Sequence, residues 1–206
     1  MEKKQPINTV FMEREEVLRR FSEIKDIQES ELREQVIEVF QEHCPEYFWE
    51  IPASSSGNYH PPDTRGKHGL WLHCKRAFAA FEGLSSSYVK QGLITEQQQD
   101  YGRAAILLHD LFKQGLPPRD TNHTSTDHDK LCRNYLEQHS DLPQPVLECI
   151  DSHNGGWSEG KNPENDLEQV HHLADMISSR PNVFISPNNA LPEELELMTG
   201  KVSYPE

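Results

Sequence analysis

The sequence has few cysteines, no long apolar run and no apparent targeting segment. Its four cysteines, Cys44, Cys74, Cys132 and Cys149, form no CxxC pair. We therefore expect free thiols rather than a disulfide framework or a zinc ribbon. No apolar stretch approaches the roughly 18 residues that span a bilayer, and residues 1–6 lack the apolar stretch of a signal peptide. These absences favour a soluble, cytoplasmic protein without a membrane partner.

Positive charge is also scarce. The 206 residues include 34 acidic and 20 basic side chains, for a formal net charge of −14. This balance disfavours nucleic acid as a partner, because a polyanion is repelled by an acidic surface. A small phosphorylated ligand would then need a locally positive site, made by bound metal or by a few converging Lys and Arg side chains.

The apolar residues recur with helical spacing along most of the chain. Two helices are predicted within residues 1–50, and an irregular segment follows from residue 51 to 66. Further helices are predicted around Leu70–Phe81, of about fifteen residues, and after Thr95, which begins a capping box with Gln98. Three more are predicted after an Asp127 cap, over Pro143–Ser152 and over Leu167–Ser179, and Val183–Ile185 is a candidate for a short strand. We expect an all-α, multi-helix fold.

Histidines and carboxylates recur at the ends and inner faces of these predicted helices. The His109-Asp110 doublet lies in the apolar run Leu107–Leu111, where an uncompensated carboxylate would cost several kcal/mol. Mixed imidazole and carboxylate donors without thiolate suit Mn, Fe, Co, Ni or Zn. The residues that could share this role are His73, His109, Asp110, His128, His153 and Asp175.

These residues resemble the HD-domain superfamily of metal-dependent phosphohydrolases over about residues 65 to 180. The resemblance rests on the five elements in order, at 73, 109/110, 128, 153 and 175, and it is greatest to the two-metal branch, which includes bacterial HD-type diadenosine tetraphosphate hydrolases. It implies that His73, His109, Asp110 and Asp175 hold one ion, and that Asp110 bridges to a second ion held by His128 and His153. One or two divalent ions would be the cofactor, with Mg²⁺ also compatible. A metal-activated hydroxide would attack a nucleotide or a related small phosphate ester.

Several further residues are candidates for binding that phosphate. Lys113 and Arg76 each follow a predicted ligand by three residues, so each shares a helix face with it. We predict catalytic roles for Asp110, Lys113 and Arg76, although a solvated surface position would also explain the two basic residues. Arg180 is a weaker candidate, since an arginine near a helix end often complements the terminal charge.

The irregular segment carries Tyr59 and His60, which could close over the metals and bind substrate or could belong to a surface connection. His68 competes with His73 as a ligand, but the two lie about 140° apart on a helix, so only one can face the doublet. Two departures from the family pattern bear on the substrate: Phe112, where glycine is common and which we expect to narrow the room beside the metals, and Asn154.

Residues 1–50 are predicted to form a helical extension, residues 51–66 an active-site loop, residues 67–182 the HD metal-binding core and residues 183–206 a tail. The extension, with its aromatic patch at Phe48 and Trp49, could cover the core or pair with a second copy of the chain. Two other functions stay open: a nucleotide-binding regulatory module without turnover, and a di-iron HD oxygenase.

Overall fold

Eight α-helices make up most of the regular structure in the computed structural model, which describes residue 9 and residues 11–118, 123–158 and 160–199. No β-sheet occurs among these residues, so the predicted all-α class is confirmed. No helix in the described ranges is long and apolar enough to cross a membrane. The helices are α1 (Arg14–Arg20), α2 (Ser30–Glu42), α3 (Gly69–Lys90), α4 (Glu96–Leu108), α5 (His128–His139), α6 (Gln144–Ser152), α7 (Asp166–Ser178) and α8 (Glu193–Thr199).

The helix starts follow from local hydrogen bonding. The predicted capping box is present at α4, where the Thr95 hydroxyl accepts from the Gln98 amide at 3.1 Å and the Gln98 side chain accepts from the Thr95 amide at 2.9 Å. Asp127 does precede α5, but its carboxylate accepts from the Ser125 hydroxyl instead of capping the helix. Helix α5 therefore begins at His128 without a side-chain cap.

Three elements differ from the sequence-based expectations. Helix α3 has 22 residues rather than about fifteen, because it continues past its apolar stretch through a polar segment. Val183–Ile185 is irregular instead of a strand. Within the predicted tail, α8 forms and buries Leu195. Its Glu-rich sequence shows too little apolar periodicity to have predicted it.

The core is built around α3 and α4. Helix α3 packs against α7 and α4, α4 also packs against α6 and α7, and α5 packs against α6. The same hydrophobic cluster includes residues from α1, α2 and α8. This arrangement turns one face of α3, one face of α7 and the ends of α4, α5 and α6 toward a common interior point.

The segment that precedes α3 packs against α3 and α4 of the same chain. Trp49 contacts Trp71 of α3 edge to face, with ring centroids 5.4 Å apart. Lys75 of α3 donates to Glu23 at 2.6 Å in a buried ion pair. Phe48 and Trp49, the predicted aromatic patch, are therefore buried within the chain. Residues 1–8 of the predicted extension and 200–206 of the predicted tail lie outside the described residues.

Candidate metal centre

The centre of the site is the buried Asp110 carboxylate, which lies just beyond the end of α4. Its Oδ2 atom is 3.7 Å from His73 Nε2 and 3.5 Å from His109 Nε2. The Oδ1 atom of Asp175 completes this group, at 3.0 Å from His73 Nε2 and 3.6 Å from His109 Nε2. Two imidazole nitrogens and two carboxylate oxygens therefore converge on one side of Asp110.

The other carboxylate oxygen of Asp110 faces a second group of ligands. Its Oδ1 atom lies 3.0 Å from His128 Nε2 and 3.5 Å from His153 Nε2, and those two nitrogens are 3.1 Å apart. Two donors at about 2.1 Å from one ion would be about 3.0 Å apart at a right angle and about 3.4 Å apart at the tetrahedral angle. The separations in both groups lie close to these values.

Hydrogen bonds at the far side of each ring orient its Nε2 atom toward Asp110. The Nδ1 atoms of His109, His128 and His153 lie 2.8, 2.6 and 2.7 Å from the backbone oxygens of Ile106, Ser125 and Ile150. A carbonyl can only accept, so each Nδ1 carries the proton and each Nε2 presents a lone pair.

His73 is oriented in the same way. Its Nδ1 atom is 3.4 Å from the Ser178 hydroxyl, which itself donates to the Asp175 backbone oxygen and so accepts from the ring.

Several atoms of the cluster lack hydrogen-bond partners although they are buried. They are His73 Nε2, His109 Nε2 and Asp110 Oδ1. A buried acceptor without a donor is destabilising by about 1–3 kcal/mol, and here two such atoms belong to the first group and one to the second. A cation at each group would satisfy them, so the donor set fits metal ions. Two sets of three buried residues could each hold a metal ion, namely His73, His109 and Asp175, and His109, Asp110 and His153.

Burial and charge set the protonation of the cluster. Burial lowers the pKa of His73 and of His128 despite the nearby carboxylates, which favours the neutral, metal-binding form. For His109, burial is outweighed by attraction to Asp110 and Asp175, and its pKa is raised. For Asp110, burial acts to raise the pKa, but Lys113 and the surrounding imidazoles lower it well below its usual value. The carboxylate is therefore ionised at neutral pH.

Lys113 connects the cluster to the surface. Its Nζ atom donates to Asp110 Oδ2 at 2.6 Å, and its side chain lines two adjacent cavities of about 300 and 230 Å³. Tyr59 and His60 also line both cavities, and Arg180 lines the larger one. The structure thus brings four of the predicted substrate-binding residues to one cleft beside the cluster.

The predicted active-site loop places His60 directly over a ligand. His60 is buried, its ring meets the His73 ring edge to face at 4.7 Å, and its Nδ1 atom has no hydrogen-bond partner. The loop is held by Arg65, whose Nε donates to the His60 backbone oxygen at 2.7 Å. His68, in contrast, lies at the start of α3 with its Nδ1 on the Trp49 carbonyl, so of the two histidines it is His73 that faces the doublet.

Arg76 has a different environment from the one predicted. It is 2% exposed, and two of its guanidinium nitrogens donate to the two oxygens of Asp63 at 2.6 and 2.5 Å. The Phe184 ring lies 5.1 Å from the guanidinium carbon. Arg76 is not among the residues that line the two cavities. The three-residue spacing from His73 correctly indicated the face of α3 on which Arg76 lies. The partner on that face is Asp63 of the loop, so Arg76 anchors the loop.

Phe112 also differs from its prediction. Its ring is buried against Tyr135, with centroids 4.9 Å apart, and it does not line either cavity. The backbone turns after Asp110, which directs Phe112 into the core while Lys113 points to the cleft. Phe112 therefore packs the interior instead of narrowing the site.

Asn154, which the sequence marks only as a departure from the family pattern, lies beside two candidate ligands, and His171 and His172 also lie close to the cluster. The Asn154 amide nitrogen lies 3.1 Å from His128 Nε2 and 2.9 Å from His153 Nε2, as a donor to two unprotonated nitrogens would. His172 Nδ1 lies 2.6 Å from the His153 backbone oxygen and fixes that turn. His171 is buried with no hydrogen-bond partner on either ring nitrogen. The adjacent Ser152-His-Asn sequence was the one available signal, since it put Asn154 next to a predicted ligand.

In comparisons with protein-family models, curated proteins and solved structures, nothing matches this chain. The helical fold and the buried His/Asp cluster are compatible with an HD-like arrangement.

Proposed function

We propose that this protein is an HD-type, metal-dependent phosphohydrolase that acts on a nucleotide or a related small phosphate ester. The observation that carries the proposal is the position of Asp110, whose two oxygens face two separate groups of converging ligand atoms. A carboxylate placed in this way suits a bridge between two ions roughly 3.5–4 Å apart. Such a pair, when bound, neutralises phosphate oxygens and supplies a hydroxide nucleophile at neutral pH.

The protein's own residues would perform the remaining tasks. Lys113 reaches both Asp110 and the cleft, so its ammonium group can meet a phosphate oxygen next to the ions. His60 closes the loop side of the site over His73 and limits water there. In a molecule of net charge −14, this local concentration of positive charge favours small polyanions, because a long polyanion would also meet the acidic surface.

The test combines metal analysis with a phosphate-release screen on the full-length protein. After loading with Mn²⁺, Fe²⁺, Co²⁺, Ni²⁺ or Zn²⁺ in turn, we expect up to two ions per chain and release of phosphate from p-nitrophenyl phosphate or nucleotides. Asp110→Asn should remove this activity, because one amide cannot replace a bridging carboxylate. Asp141→Asn, at an exposed carboxylate, is the matched control and should behave like the wild type.

Other results would replace the proposal. Metal binding with nucleotide binding but no product under any metal would indicate a regulatory module. Oxygen consumption by the iron-loaded protein without phosphate release would indicate a di-iron oxygenase. Wild-type activity in Asp110→Asn would remove the doublet from the mechanism altogether.

A further inference from the structure

The cleft beside the cluster has two lobes that differ in chemistry. The larger lobe, of about 300 Å³, adds the candidate ligand Asp175 together with Met176, Ser179 and Arg180 to the residues common to both. The smaller lobe, of about 230 Å³, adds Ala53, the candidate ligand His128 and five hydroxyl side chains but no Lys or Arg; the hydroxyl residues are Ser54, Thr124, Ser125, Thr126 and Ser158. The lobes share five residues, Tyr59, His60, Lys113, Asn154 and Trp157. Beyond the candidate ligands themselves, a substrate on the cluster would therefore meet a guanidinium group on one side and hydroxyl groups on the other.

Trp157 stands out among the shared residues because it is 80% exposed, more than any other large hydrophobic residue of the described chain. The other two tryptophans, Trp49 and Trp71, are buried. Trp157 ends a short turn that begins at Gly155, where φ is +54° and an added Cβ would come within 3.2 Å of the His172 ring. The turn thus holds an indole ring in water beside the cleft, with Tyr59, itself 66% exposed, lining the same lobes. Exposed aromatic faces of this kind stack on nucleobases.

Arg180 supplies the cationic side of the larger lobe. It is exposed, and its side chain has no ion-pair or hydrogen-bond partner among the described residues. The other arginines of the described chain donate to a carboxylate or to a backbone carbonyl. A guanidinium group left free at the edge of a phosphate site is suited to a second phosphate, which it can bind through two parallel hydrogen bonds.

We propose that the cleft binds a nucleotide with at least two phosphate groups, one phosphate lying over the cluster beside Lys113, a second, non-reacting phosphate at Arg180, and the base against Trp157. The sugar would lie among the hydroxyl side chains of the smaller lobe. This inference rests on the proposed function for the phosphate that reacts, and it adds the substrate class and two residues that select it.

The test uses tryptophan fluorescence of the full-length protein, treated with chelator so that no turnover occurs. Because Trp157 is the exposed tryptophan, saturable quenching by ADP reports binding at its ring. We expect ADP to quench more strongly than AMP at equal concentration, and inorganic phosphate to quench little. In equilibrium dialysis with labelled ADP, Trp157→Leu and Arg180→Gln should each weaken binding by about tenfold, and Arg180→Gln should weaken AMP binding by less than about twofold.

Matched controls separate these effects from general changes of surface and charge. Lys90→Gln removes an exposed cation on α3, and Phe11→Leu removes an exposed ring far along the chain. Both should bind ADP like the wild type. Equal binding of ADP and AMP by the wild type, or an unchanged ADP affinity in Arg180→Gln, would overturn the proposed second phosphate site. Unchanged ADP affinity in Trp157→Leu would overturn the proposed base site.

The two proposals fail differently. If the metal-loaded wild type hydrolyses p-nitrophenyl phosphate but nucleotides do not bind as described, the phosphohydrolase stands and the substrate assignment falls. If nucleotides bind as described but no phosphate ester is hydrolysed under any metal, the binding site stands and the hydrolase proposal falls.

Discussion

Breaking the buried ion pair between Asp63 and Arg76 should destabilise the loop that holds His60 over the candidate metal centre. Both side chains are almost fully buried, and two hydrogen bonds of 2.5–2.6 Å join them. Removing one partner leaves the other as an uncompensated buried charge, which costs about 3–5 kcal/mol. For a chain of this size that corresponds to a decrease in Tm of about 6–20 °C.

A double-mutant cycle measures this interaction directly. Arg76→Met and Asp63→Val should each lose stability by the full amount, measured by urea unfolding of the chelator-treated protein. The double variant, Arg76→Met with Asp63→Val, replaces the pair by apolar side chains and should recover most of the loss. The coupling free energy should therefore be at least about 3 kcal/mol. Arg76→Lys keeps the charge but loses the parallel hydrogen bonds, and should fall between the wild type and Arg76→Met.

The cycle also discriminates between anchoring and phosphate binding by Arg76. If Arg76 anchors the loop, the double variant should regain activity along with stability. A coupling below about 1 kcal/mol would refute the anchoring role. A stable double variant that is as inactive as Arg76→Met would also refute the anchoring role if Asp63→Val stays active. That pattern is expected of an arginine that binds substrate.

Other predictions concern the ligands and the buried histidines. His128→Ala and His153→Ala should each reduce the metal content from about two ions to about one, whereas His73→Ala should weaken binding generally; equal metal content in all variants and the wild type, measured by elemental analysis, would contradict the two-group scheme. The Tm of the metal-free protein should fall as the pH is lowered from 7.5 to 5, because burial lowers the pKa of several histidines in the folded chain. Below about pH 6.5 the unfolded chain therefore takes up protons that the folded chain does not. A Tm that rose with acidification would show that the raised pKa of His109 dominates instead. These histidines are His43, His60, His73, His128 and His171. His171→Leu should keep the stability within about 1 kcal/mol of the wild type at pH 7.5 and flatten the pH dependence, since both ring nitrogens are buried without partners; a loss above about 3 kcal/mol in chemical unfolding would show that the ring is needed.

The helices and the convergence of the His and Asp residues on one point could be predicted, because both depend on local patterns. Apolar periodicity marked the helices, and the embedded His109-Asp110 doublet marked a buried charge that needed compensation. The order of the remaining His and Asp residues then matched helices that pack around one point. These signals lie within single elements, so they can be recognised without knowledge of the tertiary structure.

The partners supplied by irregular segments could not be predicted in this way. Asp63 lies in a turn of the loop, and nothing in its sequence neighbourhood shows that it meets Arg76. Phe112 and Lys113 are adjacent, and only the backbone turn after Asp110 decides which of them faces the cleft. Trp157 follows two glycines in a short turn, where composition indicates a loop but not the surface it lines. Side-chain direction in irregular backbone depends on φ and ψ, which periodicity does not report.

The ends of α4 and α6 have a consequence for cation binding. Helix α4 ends at Leu108 and α6 at Ser152, and the next residues in the chain are the candidate ligands His109 and His153. The aligned peptide dipoles of a helix place about half a negative charge at its carboxyl end, so both helices direct negative potential into the cluster. The backbone would therefore contribute to the attraction for cations, and this contribution would help the two carboxylates of the cluster, Asp110 and Asp175, to hold the proposed ions. Ligand substitutions would leave this contribution in place, so the variants should lose tight coordination while still drawing cations weakly to the same interior point.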